Sequence, residues 1–128
     1  MTHAIGHLDF AGKDLTDHFI KLLNGRRYSF ESKIERENVR VMKESLCLID
    51  SEIRKTEDAE LKSDETRHSC PNFTSYFIKG EPDKCSEILF DPKDIGRKIG
   101  IHQILADSIV KWDISIQQEL CNNIIFAG

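Results

Sequence analysis

The chain has 128 residues, 39% of them hydrophobic and 31% charged, and 22 acids against 18 bases give a formal charge of −4. That size allows one domain with a real core but little to spare. The scattered bases argue against nucleic acid or an anionic membrane as the main partner, and no apolar run reaches the length of a bilayer span.

The first ten residues, M-T-H-A-I-G-H-L-D-F, lack the basic start and long apolar core of a signal peptide. A cytoplasmic location is therefore expected, with the nucleus as the alternative. His3 and His7 are four apart, but Gly6 between them and the strand signal that follows disfavour a helical chelate. Two histidines are also too few for a metal site, and no metal ligands are expected. Leu8-Asp9-Phe10 reads as the end of a short strand, and Ala11-Gly12 as a tight passage into a helix over 14–23. Leu15, Phe19 and Leu22 share one side of that helix, and Asp14 and Asp17 suit the dipole of its first turn. Asn24-Gly25 is a stop signal. Gly12 admits a close backbone approach, although a plain turn explains it equally well.

The strongest helix signal runs from Ser32 to Ile49. Ser32 and Glu35 have the spacing of a capping box, in which each side chain satisfies a backbone N–H of the first turn. Val39, Met42, Leu46 and Ile49 then recur at i, i+3, i+7 and i+10 as one apolar stripe. Arg40, Lys43 and Glu44 share a second stripe at i, i+3 and i+4 beside it. Such a stripe reads as a solvated face with a weak Arg40–Glu44 ion pair, or as a ligand platform. Spacing alone leaves both open.

Residues 50–67 carry seven acids and four bases, with only Ile53, Ala59 and Leu61 as apolar candidates, and read as a solvated surface. Phe73 to Ile78 favours a strand. Gly80, Pro82 and Asp83 mark a turn, and Ser86 to Phe90 is a short element ended by Asp91-Pro92. Ile101 to Trp112 is a second strong helix, its apolar positions forming a wide buried stripe. Another short helix is expected over 113–121, and Asn123 to Phe126 as a buried strand.

Cys47, Cys70, Cys85 and Cys121 include no pair close in sequence and no C-x-x-C, so zinc and thioredoxin-type sites have no support. Reduced thiols are expected, and thiol chemistry is set aside. Asn72-Phe73-Thr74 matches a glycosylation sequon, without meaning in a chain that is not secreted. His68-Ser69-Cys70 and His102 show no orienting third group that would make a nucleophile. No catalytic residue is assigned.

Four ordered segments nonetheless resemble one family. The run H-A-I-x-x-L-D-F-A-G-K-D-L-T-D (His3 to Asp17) is similar to a hallmark of actin and actin-related proteins. So are E-R-E-N-V-R-V-M-K-E-S-L-C (Glu35 to Cys47), G-I-H-Q-I-L-A-D-S-I-V-K-W-D-I (Gly100 to Ile114) and N-x-I-x-x-G (Asn123 to Gly128). The match covers essentially the whole chain. It implies a mixed α/β class and a partial actin-like ATPase fold. Residues 1–12 would be an edge of the large subdomain, 13–100 the helix-rich small outer subdomain, and 101–128 a returning segment of the large one. The family's two phosphate-binding hairpins lie upstream of His3, and its adenine-closing segment after Gly128. A fragment, a truncated product and a reduced paralogue all remain open readings.

The resemblance implies ATP or ADP as the ligand. Arg40, Lys43 and Glu44 match family positions that line the adenine and ribose pocket, and Gly12 and Gly128 match positions where backbone approaches the nucleotide. A carboxylate accepts from ribose hydroxyls, and long basic stems cover a purine face while their charge stays wet. No ATP hydrolysis is expected, since phosphoryl transfer rests on groups outside this sequence. Partners would be actin, actin-related proteins or a multi-subunit assembly. Two contact segments depart from the family. Pro71-Asn72-Phe73 stands where actins carry Pro-Asp-Gly, and a loop that is greasy in actins reads K-D-I-G-R-K (Lys93 to Lys98). The first reading is therefore a cytoskeletal actin-family protein or fragment. The alternatives are a non-filament adaptor subunit, for example of a nuclear assembly, and a degenerate inactive copy.

Overall fold

In the computed structural model, which describes residues 2–26, 28–47, 66–70 and 74–127, the first long element is helix α1, Gly12–Asn24. It starts two residues before the expected Asp14, because the Asp14 carboxylate reaches back to accept from the Ala11 N–H at 2.9 Å. Asp17 consequently lies beyond the first turn and instead pairs with Arg36 of the next helix. The helix stops at Asn24 as expected. Its cap Gly25 stays right-handed at φ −60°, so the stop does not use a left-handed glycine.

Helix α2 spans Lys33–Leu46, and its capping box is present in full. Ser32 Oγ accepts from the Glu35 N–H at 3.2 Å, and Glu35 Oε2 accepts from the Ser32 N–H at 2.9 Å. Cys47 closes the other end, its N–H reaching Lys43 O at 3.0 Å. The helix thus ends short of the expected Ile49, which lies outside the described residues together with most of the charged 50–67 run. Of the apolar stripe, Val39 and Met42 are completely buried, each contributing about 1.5–3 kcal/mol of burial. Asn38 is buried beside them, and its Nδ2 has no hydrogen-bond partner among the described residues.

Strands β1, Thr66–Ser69, and β2, Ser75–Ile78, form an antiparallel hairpin with Arg67 opposite Phe77 and His68 opposite Tyr76. Cys70 N–H to Thr74 O at 2.8 Å closes it. The altered hairpin tip at 71–73 lies outside the described residues. Tyr76 faces the core and joins Tyr28 and Phe30 in an aromatic cluster, with ring centroids 5.3 and 5.5 Å from its own. The Tyr28 hydroxyl accepts from the Phe77 N–H at 2.8 Å. Helix α3, Glu81–Glu87, replaces the expected turn at Gly80–Asp83. Pro82 sits in its first turn, where the missing N–H costs nothing and the fixed φ favours a helix. Residues 86–90 accordingly finish α3 and turn, rather than form a separate element. Glu81, nearly buried, accepts from the Lys79 N–H at 2.8 Å and pairs with Arg26.

These elements make up one compact unit, Phe10–Ile88, in which α1 packs against both α2 and α3. The second unit, Met1–Asp9 with Leu89–Gly128, is built differently. Helix α4, Ile101–Val110, and helix α5, Ile114–Asn122, match expectation in kind and place. The wide buried stripe of α4 does not: none of its residues is buried. Within this unit Ser108 Oγ donates to Ala4 O, the His3 ring packs tilted against Trp112 with centroids 5.1 Å apart, and Gln117 Nε2 donates to Trp112 O at 2.8 Å. The tightest spot is Gly100, whose Cβ would lie 2.2 Å from Phe90 O.

Two strand expectations fail. Leu8–Phe10 and Ile124–Phe126 are irregular, and Ile125 and Phe126 are 89% and 82% exposed. A strand is completed by a neighbour that takes its backbone groups. Among the described residues the hairpin is the sole sheet. Among the described residues, five α-helices and one small hairpin nevertheless make the mixed helix-and-sheet class that the resemblance implies.

Candidate functional site

The capped start of α2 fixes the rotation of the helix, and with it the stripe next to the buried one. Arg40 is held by two carboxylates on its own helix. Its Nε donates to both Glu37 oxygens at 3.0 Å, Nη2 donates to Glu37 Oε1 at 2.5 Å, and Nη1 donates to Glu44 Oε1 at 2.6 Å. These bonds raise the Arg40 pKa above its already high ordinary value, and the guanidinium lowers that of Glu37. The cluster faces water, with the side chains of Arg40, Glu37 and Glu44 47%, 57% and 56% exposed. The surface ion pair read from spacing is therefore present, and it is stronger in geometry than in energy.

Lys43 does something the helix alone could not dictate. Its Nζ donates to Gly12 O at 2.9 Å, joining two positions 31 apart in the chain. A Cβ on Gly12 would stand 3.4 Å from that ammonium, an ordinary contact, so the link does not itself require a glycine there. Gly12, Arg40, Lys43 and Glu44 thus share one surface of the Phe10–Ile88 unit, at the first residue of α1 and the last two turns of α2. Gly128 lies outside the described residues. Glu37 was missed by the sequence reading, although its i, i+3 spacing to Arg40 was visible. The Gly12–Lys43 link had no local signal.

All four cysteines are free, and Cys47, at the end of α2, and Cys85, inside α3, shift each other's pKa. Cys85 Sγ also donates to Leu15 O of α1 at 3.4 Å. Cys85 is 0% exposed and Cys47 half-buried. Interaction with Cys85, reinforced by burial, pushes the Cys47 thiol up. Interaction with Cys47, with help from Lys43, lowers that of Cys85 against its burial. Cys70, at the hairpin, is pushed up by burial alone.

Comparison with known proteins bears on the whole chain. The family model described as Actin matches residues 1–128. An actin-like protein of Neurospora crassa is 35% identical over 132 aligned positions, covering 98% of this chain. The chain spans 35% of that relative's length.

Proposed function

Since the chain belongs to the actin family, we propose that it is a structural, cytoskeletal member or segment whose α2 surface holds the adenosine end of ATP or ADP. The observation that carries this reading is the 2.9 Å bond from Lys43 Nζ to Gly12 O. It joins Gly12 to the helix stripe that carries Arg40, Lys43 and Glu44. The chemistry fits a nucleoside. Glu44 has lone pairs left to accept from ribose hydroxyls, and the Arg40 stem offers a flat cover for a purine. Glu37 keeps Arg40 in place through three hydrogen bonds, so Glu44 can turn to a sugar without releasing the guanidinium.

Hydrolysis is not part of the proposal. Phosphoryl transfer needs placed phosphates, a metal and an oriented water, and no residue of this sequence is assigned to those tasks. Titration calorimetry with ATP, ADP and adenosine tests the binding. We expect weak binding of all three, reduced further by Glu44→Ala. No heat at millimolar nucleotide would overturn it. A phosphate-release assay is expected to stay at background.

A second reading, a non-filament adaptor, draws on the loop at Lys93–Lys98. It forms a 3-10 turn, Pro92–Ile95, with Lys93 78% exposed and paired to Asp91 at 3.0 Å. Burying those charges in an apolar groove is costly, which favours a docking subunit over a filament subunit. Cosedimentation with polymerised actin separates the two: an adaptor stays in the supernatant, and a filament subunit pellets.

A further inference from the structure

Within the Phe10–Ile88 unit, we propose that the outer edge of β1 is a docking site for an extended acidic segment of another protein. The site is the flank of Thr66–Ser69, distinct from the turn at 71–73, and it stands apart from the nucleotide reading. The register of the hairpin decides which backbone groups are on offer. Cys70 N–H donates to Thr74 O at 2.8 Å, which makes those two a hydrogen-bonded pair. In an antiparallel ladder such pairs alternate with pairs whose N–H and C=O groups point away from the neighbouring strand. By that alternation His68 and Tyr76 bond to each other, whereas Arg67, Ser69, Ser75 and Phe77 turn their backbone groups outward. The 2.8 Å bond from the Phe77 N–H to the Tyr28 hydroxyl agrees.

The two flanks therefore differ. On β2 the outward Phe77 N–H is occupied by Tyr28. On β1 the outward groups of Arg67 and Ser69 have no bond among the described residues. An extended chain laid alongside, about 4.8 Å away, would take them up as a third strand, one of the ways in which sheet edges recognise peptides. Side chains select the occupant. Arg67 and Ser69 share one face with Ser75 and Phe77, and Arg67, Ser69 and Phe77 are exposed there. Arg67 Nη2 donates to Ser75 Oγ at 3.1 Å, and Ser69 Oγ lies 3.1 Å from the same oxygen. A neutral hydroxyl thus steadies the guanidinium, which meets no carboxylate among the described residues. Neither strand contains an acid, and Lys79, just past β2, is an exposed second cation. A carboxylate set opposite Arg67 gains a cross-strand charge pair, while a cation there is repelled. The same repulsion disfavours a second copy of this chain, which would bring its own Arg67 to the face. An acidic strand is the occupant that fits.

The test uses the whole folded chain and a capped peptide alternating glutamate with valine, which places its acids on one face. Amide hydrogen exchange read by NMR locates the contact. The peptide is expected to slow exchange at the Arg67 and Ser69 N–H groups and to leave Phe77 unchanged. A lysine–valine peptide should give no such protection. Nor should a backbone N-methylated glutamate–valine peptide, which keeps the charge but loses the strand donors. Arg67→Glu, at an exposed position, should weaken the glutamate peptide about fivefold, as expected for a cross-strand charge pair turned repulsive. Equal protection by the N-methylated or the lysine peptide would overturn the proposal, as would none at millimolar glutamate peptide. Protection that rises with protein concentration alone would also overturn it, by making a second copy the occupant.

Discussion

Helices α2 and α4 carry the same kind of apolar periodicity and end in opposite states. In α2, a helix rich in charge, Val39 and Met42 are sealed. In α4, the more apolar of the two by sequence, no residue is buried, and Val110 is 69% exposed. The contrast extends to their units. Phe10–Ile88 holds Phe19, Leu23, Val39, Met42, Cys85 and Ile88 fully covered, whereas among the described residues of the other unit only Pro92 and Gly100 are buried. A stripe is an offer of burial. Whether it is taken up depends on elements that the stripe does not itself specify.

The largest expected effect separates the two units directly. Met42→Ala should cost about 2–5 kcal/mol by removing a completely buried side chain, whereas Ile125→Ser should stay within about 0.5 kcal/mol. Chemical denaturation of both variants measures the gap, and a comparable loss from Ile125→Ser would break the contrast. Next comes the tightest glycine of the looser unit. Gly100→Ala places a Cβ 2.2 Å from Phe90 O, and backbone cannot move aside as a side-chain tip can. An overpacking cost of about 1–3 kcal/mol is expected in the same assay.

Asn38→Leu should work in the opposite direction, raising stability by about 1 kcal/mol. It replaces a buried amide whose Nδ2 has no described partner with an apolar group of similar size. Thermal unfolding checks the sign, and a loss would show that the amide is satisfied in solution. The smallest effect is pH-dependent. The Ser32 backbone and side chain hold Glu35 below its ordinary value of 4.5. A lowered pKa in the fold means that this contribution is fully present above pH 4.5 and lost as pH falls through the folded value. The stability difference between the wild type and Glu35→Gln should therefore shrink on acidification. A difference that grew below pH 4.5 would remove the capping box as its cause.

What could be read from the sequence divides along the line between local and distant causes. Helices α1, α2, α4 and α5 were legible because caps, periodicity and stop residues act within a few positions of themselves. Ser32 and Glu35 needed nothing else. Helix α3 was misread because Pro82 serves turns and first helical turns alike. The strands at Leu8–Phe10 and Asn123–Phe126 were written in the right residue types, yet a strand is finished by a partner, and side-chain alternation cannot supply one. At the site, the Arg40–Lys43–Glu44 stripe followed from spacing. The bond from Lys43 to Gly12 depends on how α1 and α2 pack, and no local pattern records that.

The phenol of Tyr28 has a consequence for solution behaviour. A two-stranded hairpin leaves open backbone groups along both sides, an invitation to any passing extended segment. By accepting from the Phe77 N–H, its hydroxyl occupies the middle of one such row. A third strand docking there would lose its central rung and would have to displace an aromatic side chain packed against Phe30 and Tyr76. That flank of the hairpin is thereby made inhospitable to stray β-pairing.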